Sequence, residues 1–420
     1  MGITQCTMEN LEMNCRFCNA NVKNIFADLG NTPFANSFLS SEQIENKEPS
    51  YPLRAYVCSK CFLVQVEEFE SPDSIFTNYA YFSSYSKTWL YHVKQFVKSA
   101  SKKFSLNEKH QVIEIASNDG YLLQFFKEFG VKILGIEPAV NIARVAQKNG
   151  VPTITKFFGS KTAEEIVQGG KHADFLIAFN VLPHVPNLND FVKGLKILLR
   201  ENGIITIQFS AYLLKLIEKT EFDTIYHEHF SYFSLLTLQK VFAHHDLVIF
   251  DVEEIPIHGG SLRIYLKHLS NNSIEIMNTV QQKINEEIIF GLNIISTYEN
   301  FQQQITSIKE NVMRFFSDAK IQNKKIVGYG AAAKGNTFLN YCNIGNQSIE
   351  YVVDISPHKQ GLYLPGTHIP IFHPDKIMQT KPDYVVILAW NLKEEIMEQM
   401  KYIKEWGGKF VIFIPETMIL

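Results

Sequence analysis

Three things are scarce in this chain of 420 residues, and each scarcity removes a class of function. The first is charge of one sign: 20% of the residues are charged, and they nearly cancel at a net charge of −3. Without a basic excess there is no electrostatic case for binding nucleic acid or an acidic membrane surface. The second is a long hydrophobic run. No stretch reaches the roughly 18 uninterrupted apolar residues that a membrane-spanning helix needs. Met1 to Cys15 has neither the basic flank nor the apolar core of a signal peptide. A soluble, cytoplasmic protein without a membrane partner is expected. The third is cysteine, of which there are six. What remains is an ordinary globular composition, 46% hydrophobic, in a chain too long for one compact core and suited to two or three domains.

Four of the six cysteines fall in two pairs, Cys15-Arg16-Phe17-Cys18 and Cys58-Ser59-Lys60-Cys61, which leaves Cys6 and Cys342 single. Each pair places two thiolates on one side of a tight turn, and four thiolates complete a closed tetrahedral site, so the ion they predict is a structural Zn2+. Two reduced, buried pairs or a redox pair are the alternatives. The separation of the pairs exceeds the common zinc-ribbon spacing and calls for an inserted substructure. Within it, Leu29-Gly30-Asn31-Thr32-Pro33 reads as a loop feeding Phe34 and Phe38 into a small core. After the second pair, the segment from Asn78 to Ser86 is rich in hydroxyls and aromatics. It reads either as an aromatic patch between domains or as the source of a phenol over an active site. Thr88 to Lys103 has the spacing of an amphipathic helix.

Gln111 to Ala116 reads as a strand, Ser117-Asn118-Asp119-Gly120 as a tight turn into a helix, and Val131 to Ile136 as a second strand ending in Glu137. This is the first half of a nucleotide-binding α/β unit. The turn lets a nucleoside approach the backbone, and Glu137 can accept hydrogen bonds from both ribose hydroxyls. With one glycine, the turn is not the Gly-x-Gly-x-x-Gly that relieves crowding around a pyrophosphate, so S-adenosylmethionine, which has no phosphate, fits better than NAD. A fold without ligand is the remaining reading. Strands over Ala173 to Phe179 and Gly203 to Phe209, with a helix from Leu188 to Leu199 between them, extend a mostly parallel, doubly wound sheet. Asn180-Val181-Leu182-Pro183-His184-Val185-Pro186 follows at the carboxyl edge, where open sheets bind ligands. His184 there is either exposed or faces a pocket.

The run Thr224-Ile225-Tyr226-His227-Glu228-His229-Phe230-Ser231-Tyr232-Phe233 packs two imidazoles, a carboxylate and two phenols together, a density that suggests proton chemistry. A helix from Leu235 to His244 and strands over Leu247 to Val252 and Ser261 to Lys267 follow. Between those strands, Ile257-His258-Gly259-Gly260-Ser261-Leu262-Arg263 is either a plain hairpin turn or a close backbone approach with Arg263 free to meet a carboxylate or phosphate. Asn272 to Lys320 reads as one or two connecting helices. The α/β alternation then restarts with a strand over Lys325 to Tyr329, the turn Gly330 to Gly335, a helix, and a strand ending in Asp354. Lys334 and Asn336, at that helix start, could hold a phosphate; a packing domain without ligand is the alternative.

With these pieces in order the sequence resembles the zinc-containing sugar C-methyltransferases that act on nucleotide-activated keto-deoxyhexoses, over nearly its whole length. The resemblance rests on the two cysteine pairs, Glu114-Ile115-Ala116-Ser117-Asn118-Asp119-Gly120, Asn180 to Val185, Asp223 to His229, His258 to Arg263, and Gly328 to Asn336. It departs at Ala116, where glycine is usual; a methyl group there should be tolerable. It implies a zinc-binding domain over residues 1–75, an S-adenosylmethionine-dependent methyltransferase domain over 76–270, and a Rossmann-like domain over 271–420 that helps to bind the nucleotide sugar. The donor would lie against Glu114, Ala116, Ser117, Asn118, Asp119, Gly120, Glu137 and Asn180. His229 would be the base, with Glu228 and Tyr226 beside it and His184 and Tyr79, favoured over Tyr81, across the sugar. Glu228 would orient or tune the imidazole, and His227 would point away if the run is extended. The partner would be a dTDP-, GDP- or CDP-linked keto-deoxyhexose, and the chain a monomer or weak homo-oligomer. Three rival readings stay open: an O- or N-methyltransferase of a small metabolite, an NAD(P)-dependent sugar-nucleotide epimerase or dehydrogenase, and a noncatalytic scaffold.

Overall fold

A computed structural model describes residues 13–71, 82–210, 212–257 and 259–420. Near the amino terminus, short strands Met13–Asn14 and Asn21–Val22 pair antiparallel below the first cysteine pair. Strands Asn24–Thr32, Tyr51–Val57 and Val64–Val66 then form an antiparallel sheet. Leu29 to Thr32 thus belongs to a strand, correcting the expected loop. The register slips between Asp28 and Asn31, where Gly30 sits at φ +77°, so the glycine marks a bulge rather than a strand end. The fourth strand of this sheet comes from far along the chain: Ser231–Tyr232, directly after His229, pairs with Val64–Val66.

The middle sheet has seven strands in the spatial order Leu247–Ile255, Ser261–His268, Leu199–Phe209, Ala173–Phe179, Gln111–Ile115, Lys132–Ile136, Thr153–Ile154. From Leu199–Phe209 onward the pairings are parallel, and the two strands at the other edge form an antiparallel hairpin. Five successive apolar residues, Phe175 to Phe179, in the strand Ala173–Phe179 reflect burial on both faces of a parallel sheet. The amphipathic helix Lys87–Lys103, capped by the Ser86 hydroxyl, turns Trp89, Val93, Phe96 and Val97 onto one face of this sheet.

Asn272 to Lys320 forms three helices rather than one or two: Asn278–Phe290, Ile295–Glu299 and Phe301–Ile321. Gly291, at φ +96°, ends the first with a left-handed cap, a signal that the apolar periodicity masks. Phe26 of the amino-terminal sheet stacks on Phe301, ring centroids 4.4 Å apart, and ties the third helix to the zinc-binding end. A six-stranded sheet closes the chain, parallel through Ile371–Phe372, Val352–Val353, Ile326–Tyr329, Tyr384–Ile387 and Lys409–Ile412, with Met418–Ile419 antiparallel at the edge. The architecture is a zinc-binding unit followed by two Rossmann-like α/β units.

Candidate active site and zinc centre

The two cysteine pairs converge. Cys15 Sγ lies 3.5 Å from Cys61 Sγ and Cys18 Sγ 3.6 Å from Cys58 Sγ, with all four sulfurs within 4.8 Å of one another. Ligands about 2.3 Å from a tetrahedral zinc ion stand roughly 3.8 Å apart, so the cluster has the right size. The sulfur of Cys58 and burial together raise the Cys15 thiol above its ordinary range. Four thiolates at this spacing need a cation between them. Arg16, inside the first pair, carries the cluster's influence outward. It donates to the carbonyls of Val66 (2.7 Å) and Pro186 (3.2 Å), and its guanidinium lies 5.1 Å from the centre of the Phe230 ring. Sequence alone gave no signal for this role, because these two carbonyls and the Glu68 carboxylate, 3.3 Å from the guanidinium, are brought together by folding.

In the middle unit, Ala116 at φ +54° and Asn118 at φ +48° bend the chain sharply at the carboxyl end of Gln111–Ile115. Glu137, buried at the end of the neighbouring strand, accepts from the amides of Asn118 and Ala139, each at 2.9 Å. The donor it was expected to bind would therefore share a carboxylate already engaged with the turn. Asn118 Oδ1 accepts from the Ser83 amide (2.9 Å) and Asp119 Oδ2 from the Ser84 amide (3.2 Å), so Ser83 and Ser84 dock on this turn. Gly120 serves packing: a Cβ there would meet Val151 at 2.8 Å. Asn180, at φ +52°, sits at the end of Ala173–Phe179 and accepts from the Ser210 amide.

Several buried polar atoms here have no hydrogen-bond partner, namely both carboxylate oxygens of Glu114, Ser117 Oγ and Asp119 Oδ1. Burial raises the Glu114 carboxyl well above its ordinary range, and the Tyr121 phenol pulls the other way. Unsatisfied acceptors at the head of a parallel strand suit a ligand with ammonium and ribose hydroxyl donors, which S-adenosylmethionine has.

The run around His229 is not extended. The His229 amide donates to the Tyr226 carbonyl (2.9 Å), closing a turn. Its imidazole is buried, with Nδ1 3.0 Å from the Thr224 carbonyl and Nε2 2.7 Å from the Tyr226 hydroxyl. A carbonyl can only accept, so Nδ1 carries the proton and Nε2 presents its lone pair to the phenol. Burial, the neighbouring His184 and the charge of Lys334 hold His229 well below the usual imidazole range, which keeps it neutral near pH 7. His184 stands with its ring centre 4.7 Å from that of His229; its Nδ1 donates to the Glu228 carbonyl at 2.8 Å, and burial lowers it to about 4.

Two expectations need correction. The Glu228 carboxylate does not orient the His229 imidazole: it accepts from Asn36 Nδ2 of the zinc-binding end at 2.7 Å, while the Thr224 carbonyl fixes the ring. His227 does point away, but through the turn rather than strand alternation, and it packs among Phe34, Tyr51 and Phe69 with Nε2 3.1 Å from the Pro52 carbonyl. Phe230, Tyr232 and Phe233 are fully buried. Arg263 is not free for a ligand. It lies in the antiparallel hairpin, holds Gln208 (3.0 Å) and Glu253 (3.0 Å), and covers the Phe96 ring. Asn336 is buried and donates to the Ala35 carbonyl at 2.5 Å. Tyr79, Tyr81, Cys6 and His258 lie outside the described residues.

These features define an S-adenosylmethionine-dependent methyltransferase joined to a zinc-binding domain. Residues 15–76 match a zinc-binding domain family, residues 89–252 a methyltransferase domain family, and residues 256–415 the C-methyltransferase C-terminal domain family. The C-methyltransferase NovU of Streptomyces niveus is 32% identical over 406 residues, 97% of this chain and 96% of that protein. The chain belongs to this C-methyltransferase family. A ubiquinone biosynthesis O-methyltransferase of Methylobacterium is 27% identical over 97 residues, which is 22% of this chain and 38% of that protein. Among solved structures, the magnesium protoporphyrin IX methyltransferase of Synechocystis with bound S-adenosylhomocysteine aligns at 14% identity over 41% of this chain and 81% of its own, with a TM-score of 0.32. Among the described residues no helix is long and apolar enough to cross a membrane.

Proposed function

We propose that this C-methyltransferase methylates a nucleotide-activated 4-keto-deoxyhexose at C-3, through an enolate, to give a branched-chain sugar. The observation that carries the reading is the His229 imidazole, neutral, fixed by the Thr224 carbonyl and with its Nε2 lone pair turned to the Tyr226 hydroxyl. Carbon becomes nucleophilic only after losing a proton, and an adjacent ketone makes that loss feasible by taking the charge onto oxygen. His229 Nε2 takes the C-3 proton. The Tyr226 hydroxyl, released from Nε2 by the arriving substrate, donates to the ketone oxygen as it becomes an enolate, and His184 faces the same space. The Ala116 to Gly120 turn and Glu137 would hold S-adenosylmethionine, whose sulfonium methyl would pass to the enolate carbon with S-adenosylhomocysteine as the leaving group. The sugar nucleotide rests on the resemblance in sequence and on the carboxy-terminal unit, whose helix start presents Lys334 beside this site.

Mass spectrometry and NMR of products formed from S-adenosylmethionine and a panel of nucleotide 4-keto sugars, in water and in deuterium oxide, test the reading. The expected product has one added methyl on carbon, and solvent deuterium enters C-3 without donor present. An O-methyl or N-methyl resonance in the product would overturn it in favour of an O- or N-methyltransferase.

A further inference from the structure

The Asp223 carboxylate is buried, and Oδ2 accepts from the indole Nε1 of Trp390 at 2.7 Å, a side chain from the loop after Tyr384–Ile387 in the other α/β unit. Asp223 is the centre of the one-turn helix Phe222–Thr224, and the carbonyl of Thr224 is the group that holds His229 Nδ1. The Lys334 ammonium lies 5.0 Å from the centre of the Trp390 ring. Gly259 closes the third side: a Cβ there would stand 2.9 Å from both Glu221 carboxylate oxygens and 2.9 Å from the Trp390 ring. Three separate elements therefore meet at the turn beneath the imidazole. We propose that Trp390 and Lys334, from the carboxy-terminal unit, are positioning residues for His229.

The physical route has two parts. Trp390 anchors Asp223, and with it the peptide whose oxygen fixes the imidazole tautomer; without the indole N–H, Asp223 keeps a buried carboxylate with neither oxygen hydrogen-bonded by a side chain, because Oδ1 already lacks a partner. Lys334 sets the field. Its positive charge acts on Glu221, Asp223 and His229 together, stabilising the two carboxylates and opposing a proton on the imidazole. The other groups facing His229 are His184, which also opposes its protonation, and the Tyr226 and Tyr232 phenols; the Glu228 carboxylate is turned to Asn36. This inference rests on the reading of His229 as the base, but its test does not depend on turnover.

Long-range proton–nitrogen NMR of 15N-histidine-labelled full-length protein reports the tautomer and titration of His229, assigned by loss of its signals in His229→Gln. In Trp390→Phe, which keeps the ring and removes the donor, the Nδ1–H tautomer signature should weaken or broaden. In Lys334→Gln the titration midpoint should rise by about half a unit or more, and in Lys334→Arg it should stay near the native value. A native tautomer signature in Trp390→Phe together with a native midpoint in Lys334→Gln would overturn the proposal, even if both variants lost activity. Should Lys334→Gln not fold, the Trp390→Phe spectrum decides. Altered spectra alongside full methyl transfer by His229→Gln would sink the base assignment and leave the positioning intact.

Discussion

In the middle sheet the strand Gln111–Ile115 is followed by Ala116 at φ +54°, and in the last sheet the strand Ile326–Tyr329 is followed by Gly330 at φ +99°. In both, an acid at the end of the adjacent strand accepts from an amide of that turn: Glu137 from Asn118 (2.9 Å) and Asp354 from Ala331 (2.8 Å). The backbones are solved the same way, yet their surroundings differ. Around the first turn, Glu114, Ser117 and Asp119 keep buried atoms without partners. At the second, Asn336 Oδ1 and Thr337 Oγ1 of the following helix also lack partners, but Lys359 donates to the Ala331 carbonyl at 2.6 Å and stands 3.8 Å from Asp354, so the chain's own cation occupies that end of the crevice. A shared α/β plan fixes where a ligand could lie, and the charge already seated beside the turn separates the two copies.

The largest expected effect separates the copies by chemistry. His229→Gln should reduce methyl transfer by about 10²- to 10⁴-fold with the fold retained, whereas Asp354→Asn should leave turnover within a few fold. Full turnover in His229→Gln, measured by methyl incorporation, would move the base elsewhere. Because His229 is held well below the usual range, kcat/KM should not fall as pH drops from 7 to 6, as it would for an exposed imidazole. Donor affinity separates the copies next. Glu137→Gln should weaken S-adenosylmethionine binding by calorimetry by about ten- to a hundredfold, with loss of roughly 1.4 to 2.8 kcal/mol, and Asp354→Asn should leave it unchanged. Equal losses in the two variants would break the comparison.

A third effect tests the seam between the copies. Burial raises Glu221 from 4.5 to about 7. An acid whose pKa is higher folded than unfolded binds more protons in the native state between those values, so its contribution to stability is greatest below the unfolded pKa and declines as pH rises through the folded one. Denaturant unfolding should show a loss of about 1 to 3 kcal/mol between pH 4.5 and 7.5 that is reduced in Glu221→Gln. Glu287, also raised to about 7 by burial, adds a decline of the same sign, so the difference between the two proteins is the informative quantity.

Much of this organisation was legible in the sequence, for identifiable reasons. The Ala173–Phe179 and Gln111–Ile115 strands announce themselves as apolar runs, and the cysteine spacing determines the thiolate cluster. Strand Ser231–Tyr232 was not legible, because two residues pairing with Val64–Val66 carry no periodicity and their partner is remote in the chain. The identity of the aromatic and charged residues near His229 was visible, but not what each one touches. A carboxylate adjacent to a histidine in sequence suggests that the two are paired; the turn at Tyr226 sends Glu228 toward Asn36 and leaves a backbone carbonyl to hold the ring. Trp390, and the role of Asp223 as its partner, escaped for the same reason: their hydrogen bond joins two units, and no local pattern encodes it.

The smallest expected effect probes the one position where the two turns require the same backbone and carry different residues. A left-handed conformation costs an L-residue roughly 1 to 2 kcal/mol relative to glycine, partly offset by glycine's greater freedom in the unfolded chain. Ala116→Gly should therefore raise stability by about 0.5 kcal/mol, seen as a small increase in the denaturation midpoint. Gly330→Ala runs the exchange in reverse under tighter conditions, since the new Cβ would lie 3.1 Å from the Ala389 Cβ; it should cost about 1 to 2 kcal/mol. If both exchanges shift the midpoint in the same direction, the two turns do not share the backbone requirement, and the difference between the copies lies in the chain path itself rather than in the polar groups around it.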